Sequence, residues 1–320
     1  MGKLFETLRH FFANMSASSS PGEDYINKLF FFFLVLCGAI LIIVFGMILT
    51  GVIRYRSGKL SGEPDQKTGN RIVEVLWTII PFVLVTLFFF LTIKYMKAID
   101  QPVDKNKQAD IKIIAHQWWW EMIYPDLNFS TANELHIPAG RDLLMQIESA
   151  DVIHDWWVPE LGRKIDAIPG RTNYTWIKSN KPGEFRGACS EYCGTQHAHM
   201  LILVVAQDTV SFNSWVVSQQ RVPALPEDID SKLGLELFNG KACSKCHTIA
   251  GIASGAHLGP DLTHVSLRKT ILSGMLPNSS QNLTRWLDNP QEIKEGSNMP
   301  DFMLSANEIK ALVTFLEELK

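Results

Sequence analysis

Two uncharged apolar runs, residues 29–53 and 75–93, restrict this chain more than any other feature in it. At about 1.5 Å of rise per residue, helices of about 25 and about 19 residues are each long enough to cross a bilayer core. The runs therefore predict two transmembrane helices. Arg54, Arg56, Lys59, Lys67 and Arg71 lie between them, against only Glu63 and Asp65. That basic excess places the short loop on the cytoplasmic side and both termini outside. Everything after Lys97 is then exported, into the compartment where copper proteins and covalent haems are assembled.

Ahead of the first run, residues 3–15 put Leu4, Phe5, Leu8, Phe11, Phe12 and Met15 on one helical face and Lys3, Glu6 and Arg9 on the other. This predicts a short interfacial helix. A signal peptide fits less well, because the apolar run comes too late and is too long. Leu34-Val35-Leu36-Cys37-Gly38 loosely resembles a lipoprotein cleavage site, but Leu36 is too bulky before the cut, and Cys37 reads as helix packing. A net charge of −3 over 320 residues gives no reason to expect a nucleic-acid partner.

From 108 to 207 the pattern changes to short apolar runs broken by Gly, Pro and Asn: 111–115, 135–137, 143–147, 174–177 and 200–206. Such spacing predicts an antiparallel sandwich or barrel of about a hundred residues. On the loop before its last strand lies Cys189-Ser-Glu191-Tyr-Cys193-Gly-Thr-Gln-His197-Ala-His199-Met200. Two cysteines four apart could form a disulfide or half of a zinc site. Neither reading uses Met200, whereas thiolate, thioether and imidazole together suit copper in an electron carrier. His154, in Asp151-Val-Ile-His154-Asp-Trp156-Trp157, could complete the shell from an earlier loop. Trp118, Trp119 and Trp120 are adjacent, so on a strand they alternate between faces and at least one is expected near the surface, as a docking patch or a point where electrons enter.

Residues 208–220 read as a short helix with Val210, Trp215 and Val216 inward, followed by a stiff linker around Pro223 and Pro226. After a helical stretch over 229–240 comes Cys243-Ser-Lys-Cys246-His247. Two cysteines that can form thioethers, with a histidine directly after them, make the attachment pattern of a c-type haem. Met299, in Asn298-Met299-Pro300, is the expected sixth ligand, with Met303 and Met275 as rivals. His257 and His264 read as surface residues or neighbours of the haem propionates. A closing helix over 306–319 carries Ile309, Leu312, Val313 and Leu316 on one face. Of the five cysteines, four are thus spent in two cofactor motifs.

Glu74-Val-Leu-Trp77-Thr78-Ile-Ile-Pro81, His116-Gln117-Trp118-Trp119-Trp120, Asp151-Val-Ile-His154, Asp166-Ala-Ile-Pro169-Gly170-Arg171, the cysteine-rich loop and the haem motif follow one another in a specific order. In this order the chain resembles subunit II of the bacterial haem-copper cytochrome c oxidases, in the caa form with a cytochrome c fused at the C-terminus. The resemblance covers nearly the whole chain. It implies a two-helix transmembrane hairpin, an all-β cupredoxin-like sandwich or barrel, and an all-α cytochrome c domain. The expected boundaries are 1–24 for an interfacial segment, 25–100 for the hairpin, 101–220 for the copper domain, 221–227 for the linker and 228–320 for the haem domain.

The same resemblance implies the binuclear copper centre CuA: Cys189 and Cys193 bridging, His154 and His197 as terminal ligands, Met200 as a weak ligand and the Glu191 carbonyl as the last. It gives the Glu191 side chain to a magnesium ion shared with subunit I, Trp118 to the uptake of electrons, and Glu74 to the mouth of a proton pathway. The residues around Glu74 alone would favour an interface anchor. Covalent haem c on Cys243, Cys246 and His247 completes the cofactors. Implied partners are subunits I and III, membrane lipid, and a soluble cytochrome c, other periplasmic donor or respiratory supercomplex, in a bacterial plasma membrane. Two departures bear on Trp118: Trp119 stands where the family has tyrosine, and Glu121-Met122-Ile123-Tyr124 is a reduced acidic-aromatic run. A nitric oxide reductase subunit with a similar copper domain, or a tethered electron-transfer module, are the competing readings. A quinol oxidase subunit would lack the copper ligands.

Overall fold

The computed structural model describes residues 18–56, 69–100, 103–104 and 107–320. The interfacial helix expected over 3–15, and Lys59, Glu63, Asp65 and Lys67 of the basic loop, lie outside the described residues. The chain divides into two compact units, Met1–Gln101 and Pro102–Lys320.

The first unit holds α1 (Pro21–Arg54) and α2 (Arg71–Ile99). Both helices overrun their apolar cores because polar caps start them early. The Ser20 hydroxyl accepts from the Glu23 amide at 3.1 Å, and the Asn70 side chain accepts from the Ile72 amide at 3.0 Å. Tyr25 stacks on Tyr95 and Phe32 meets Phe88, so the start of α1 lies beside the end of α2. Neither helix contains a buried residue. Apolar side chains exposed along two whole helices are what a lipid-facing hairpin presents. Cys37 is among the exposed side chains, so packing there has to come from outside this chain.

In the second unit, ten strands form two five-stranded sheets. One orders β3 (Phe129–Ala132), β2 (Trp119–Tyr124), β1 (Ile111–His116), β5 (Leu143–Ser149) and β8 (Asn173–Ile177); the other orders β4 (Glu134–Pro138), β10 (Leu201–Gln207), β9 (Gly183–Cys189), β6 (His154–Trp157) and β7 (Ile165–Ala167). The sandwich is not purely antiparallel as expected, since β1 runs parallel to β5 and β10 parallel to β4. Each parallel pair joins strands that are not consecutive, so long crossovers replace the hairpins that antiparallel pairing needs. Alternation places Ile111, Ile113 and Ala115 inward from β1, and Trp120 meets Trp156 edge-on at the centre.

All three adjacent tryptophans are buried, at 9 %, 8 % and 0 % exposure for Trp118, Trp119 and Trp120. This corrects the expectation that one would reach the surface. Trp118 lies in the turn between β1 and β2 rather than on a strand, and the haem domain covers it. The helix α3 (Thr209–Gln219) buries Val216 but leaves Val210 75 % exposed, against expectation. At about 100° per residue, Val210 sits about 140° from Trp215 and cannot share its face. Trp215 instead stacks on His136 with ring centroids 4.2 Å apart.

The C-terminal part contains α4 (Ile229–Gly240), α5 (Cys243–Cys246), α6 (Ser280–Asp288), α7 (Pro290–Ile293) and α8 (Ala306–Glu318), with a small ribbon of β11 (Thr270–Ile271) and β12 (Leu276–Pro277) that the all-α expectation lacked. Helix α8 starts on a capping box of Ser305 and Glu308 and buries Ile309, Leu312, Val313 and Leu316. It crosses α4 at Gly234, where an added Cβ would lie 2.2 Å from the Ala311 carbonyl oxygen. Only glycine allows the two helices to approach so closely.

Candidate metal and haem sites

The end of β9, the loop after it and the start of β6 converge on one buried point. Cys189 Sγ lies 3.7 Å from Cys193 Sγ and 3.9 Å from His154 Nδ1. Cys193 Sγ lies 3.7 Å from His197 Nδ1 and 3.9 Å from Met200 Sδ, while the Glu191 carbonyl oxygen is 3.2 Å from Cys189 Sγ. Six donor atoms thus face one another across two sulfurs. The sulfur separation is far beyond a disulfide bond of about 2.05 Å, so the cysteines are free thiols. Cys189, Cys193, Met200 and His154 are all buried, which keeps the donors dry and held by their neighbours.

The shared contact with Cys193 holds the Cys189 thiol far down, to about 3, helped by His154 and the backbone amide of Asp155. That contact and burial push Cys193 up. A metal bound here would displace the protons of both thiols, since the thiolate is the ligand form. Burial opposes charge on His154, but the Asp151 carboxylate, 2.8 Å from its Nε2, holds the imidazole's affinity for a proton up. The same bond fixes Nδ1 toward the sulfurs. The second oxygen of Asp151 accepts from the Gln117 amide at 2.6 Å. Asp155, buried beside Asp166, is pushed up to about 7 by burial and by that second carboxyl.

Around the loop, Gln117 Nε2 and Trp118 Nε1 both donate to the Cys193 carbonyl, at 2.8 and 3.0 Å. Gly194, at φ +117°, leaves room for them, since a Cβ there would lie 3.0 Å from each side chain. His199 points away from the sulfurs and bonds Gln196 at 2.7 Å. The Glu191 and Tyr192 side chains are exposed. Glu74 is also exposed, in the first turn of α2.

A cavity of about 300 Å³ lies on the far side of Trp118. Cys243, Cys246, His247 and Met299 line it, with Phe238, Leu283, Leu287, Leu312 and Leu316 as an apolar wall. The carbonyl of Pro260 lies 2.7 Å from His247 Nδ1, and the apolar surroundings hold this imidazole neutral. Nδ1 then donates, leaving Nε2 as the coordinating nitrogen. Arg268 lines the same cavity, and its buried Nε has no partner among the described residues. A buried cation with a spare donor is what a haem carboxylate would need. Of the rival methionines, Met303 is 87 % exposed and Met275 does not line the cavity. His264 is neither at the surface nor in the cavity; it is buried, with Nε2 3.0 Å from the Gln219 carbonyl oxygen at the end of α3. His257 is 58 % exposed and bonds Glu121.

Three family profiles divide the chain: the transmembrane domain of cytochrome c oxidase subunit II over residues 9–94, its periplasmic domain over 127–208, and cytochrome c over 231–320. A cytochrome c oxidase subunit 2 from Alkalihalophilus pseudofirmus is 31 % identical over 306 residues, covering 94 % of this chain and 89 % of the relative. The chain belongs to the cytochrome c oxidase subunit 2 family. Subunits 2 from Bacillus subtilis and Bacillus sp. PS3 are 29 % and 30 % identical, covering 84 % and 83 % of this chain and 81 % and 80 % of theirs. The solved periplasmic domain of subunit II of cytochrome oxidase from Bradyrhizobium japonicum is 39 % identical, covers 36 % of this chain and 96 % of that one, and superposes with a TM-score of 0.34.

As a subunit 2 with a C-terminal cytochrome c domain, the protein is the membrane-anchored subunit through which electrons enter a haem-copper oxidase, and subunit I is its partner. These domains imply copper and haem, and the donor sets fit both groups. Sequence reasoning singled out neither Arg268 nor Lys294, single charges without a motif around them, yet both line the cavity.

Proposed function

We propose that this chain takes electrons from an external donor at its C-terminal domain and delivers them to the oxygen-reducing subunit I, in a complex that translocates protons. The observation that carries the proposal is the sharing of Trp118 by the two sites: it lines the cavity that holds Cys243, Cys246 and His247, while its indole nitrogen bonds the Cys193 carbonyl. In this reading, Cys189, Cys193, His154, His197, Met200 and the Glu191 carbonyl hold CuA. Cys243 and Cys246 would hold haem c through thioethers, with His247 and Met299 as the side chains available to its iron. When bound, the haem and the copper pair would supply one-electron chemistry, and the buried side chains that would hold them leave little room for the site to rearrange.

The remaining residues set position and charge. Asp151 orients His154 and ties the Trp118 turn to the copper loop. Trp118 is the point where electrons reach that loop. The exposed Glu191 carboxylate is available to a magnesium ion at the contact with subunit I, and Glu74 would admit protons at the cytoplasmic end of α2. The basic loop sets this orientation, with both redox domains outside. Subunit III and a soluble cytochrome c complete the assembly.

The test is oxygen uptake by the purified complex with reduced cytochrome c as donor. Uptake that stops when copper is stripped from the complex is expected. A complex that reduces nitric oxide and consumes no oxygen would instead make this the subunit of a nitric oxide reductase. Met299→Leu is expected to leave the haem covalently attached while its visible spectrum changes and its potential falls, because methionine opposite histidine raises the haem potential. An unchanged spectrum would return the ligand role to another side chain.

A further inference from the structure

Lys294 is an unusual lysine. It is 4 % exposed, no carboxylate among the described residues pairs with it, and burial pushes it down to about 7. A cation held this far from water is costly unless something specific receives it. Its Nζ donates to the Trp118 carbonyl oxygen at 2.8 Å. The Ser273 hydroxyl donates to that same oxygen at 2.7 Å, and Lys294 Nζ lies 3.5 Å from the Ser273 oxygen. Two donors from the haem domain thus close on one carbonyl of the copper domain.

Ser273 reaches that carbonyl from the turn joining β11 and β12, where Leu272, Ser273 and Gly274 have φ of +57°, +59° and +82°. Two consecutive non-glycine residues in the left-handed region cost energy and persist only where surrounding contacts require them. Here the contact is visible. The Ser273 carbonyl accepts from the Leu201 amide, next to Met200, at 3.0 Å. On the other flank, Gln196 of the copper loop donates to the Glu295 carbonyl at 2.8 Å.

Resting on the function proposed above, we infer that Lys294 and Ser273 form a clamp on the Trp118 main chain, and that Lys294 is a positioning residue for electron transfer from the haem cavity to the copper loop. The clamp acts on one turn whose indole already bonds the Cys193 carbonyl. It therefore holds the main chain of the residue that lines the haem cavity and hydrogen-bonds the copper loop. Overall attachment of the haem domain does not depend on it. The buried Glu134 carboxylate accepts from the Lys269 and Thr270 amides and the Thr270 hydroxyl, and these bonds stay when Lys294 is lost.

The experiment uses the complete oxidase with haem c and copper in place. Reduction of the haem by a soluble donor and its reoxidation by the copper pair are timed separately after rapid mixing. In Lys294→Met, copper and haem spectra and the bimolecular haem reduction are expected to match the parent. The intramolecular step should slow about tenfold, the population effect of losing one buried charge-assisted hydrogen bond. Lys294→Arg, which restores a cationic donor, should recover part of that rate. If Lys294→Met assembles poorly, Ser273→Ala probes the same carbonyl and should slow the same step by a smaller factor. An intramolecular rate unchanged in either assembled variant would overturn the clamp, as would equal slowing of both steps. Missing copper or haem signals in the parent protein would overturn the underlying functional reading instead.

Discussion

Cys193→Ser is expected to abolish the copper pair while leaving the haem covalently bound. Cys193 is the hub of the donor set: its sulfur faces Cys189, His197 and Met200, each within 3.9 Å. No other side chain could bridge in its place, because the remaining thiol, Cys189, already faces His154 and the Glu191 carbonyl. A serine hydroxyl is far harder to deprotonate than a thiol and is a poor ligand for soft copper. Oxygen uptake with cytochrome c should fall by on the order of 100-fold or more, since losing even an outer partner of a ligand typically costs 10- to 100-fold. Copper content and the visible spectrum check the result directly, and the haem band serves as the internal control for folding. Two coppers per chain with an unaltered spectrum would sink the bridging role.

The donor set was largely readable in the sequence because its members are local. Five of the six donors fall within twelve consecutive residues, and their softness excludes most metals. His154 comes from another strand, and only its neighbourhood and the resemblance brought it in. β1 was readable because one face is wet and its burial alternates, while the buried β4 and β10 stood out as short apolar runs. β2 was read only at its tryptophans, because burial runs along it almost without interruption. Its second face is closed by the haem domain, through Lys294 and Ser273 above Trp118 and His257 at Glu121. Periodicity reports the contrast between core and water, and a strand held between two domains has little such contrast. The same reason hides Lys294. In sequence it is one charge in a polar stretch, and its burial exists only once it has met Trp118, 176 residues earlier in the chain.

Trp118→Leu tests whether that meeting serves electron transfer. Leucine keeps an apolar side chain in the turn but removes the indole N–H that bonds Cys193 and the ring that lines the haem cavity. Gln117 continues to donate to the Cys193 carbonyl and Asp151 continues to hold His154, so the copper pair should assemble. Lys294 and Ser273 bind the main-chain oxygen of residue 118, which the substitution leaves in place. Haem reduction by the donor is therefore expected to proceed at the parental rate. Transfer from haem to copper should drop by about 100-fold, the scale on which a misplacement of about 1 Å acts in a preorganised site. Trp118→Phe separates the two contributions, since it keeps an aromatic ring at the cavity while losing the donor to Cys193. An intermediate rate would assign part of the coupling to each. A leucine variant that passes electrons to copper within twofold of the parent would remove Trp118 from the route and leave the clamp as a purely structural contact between the domains.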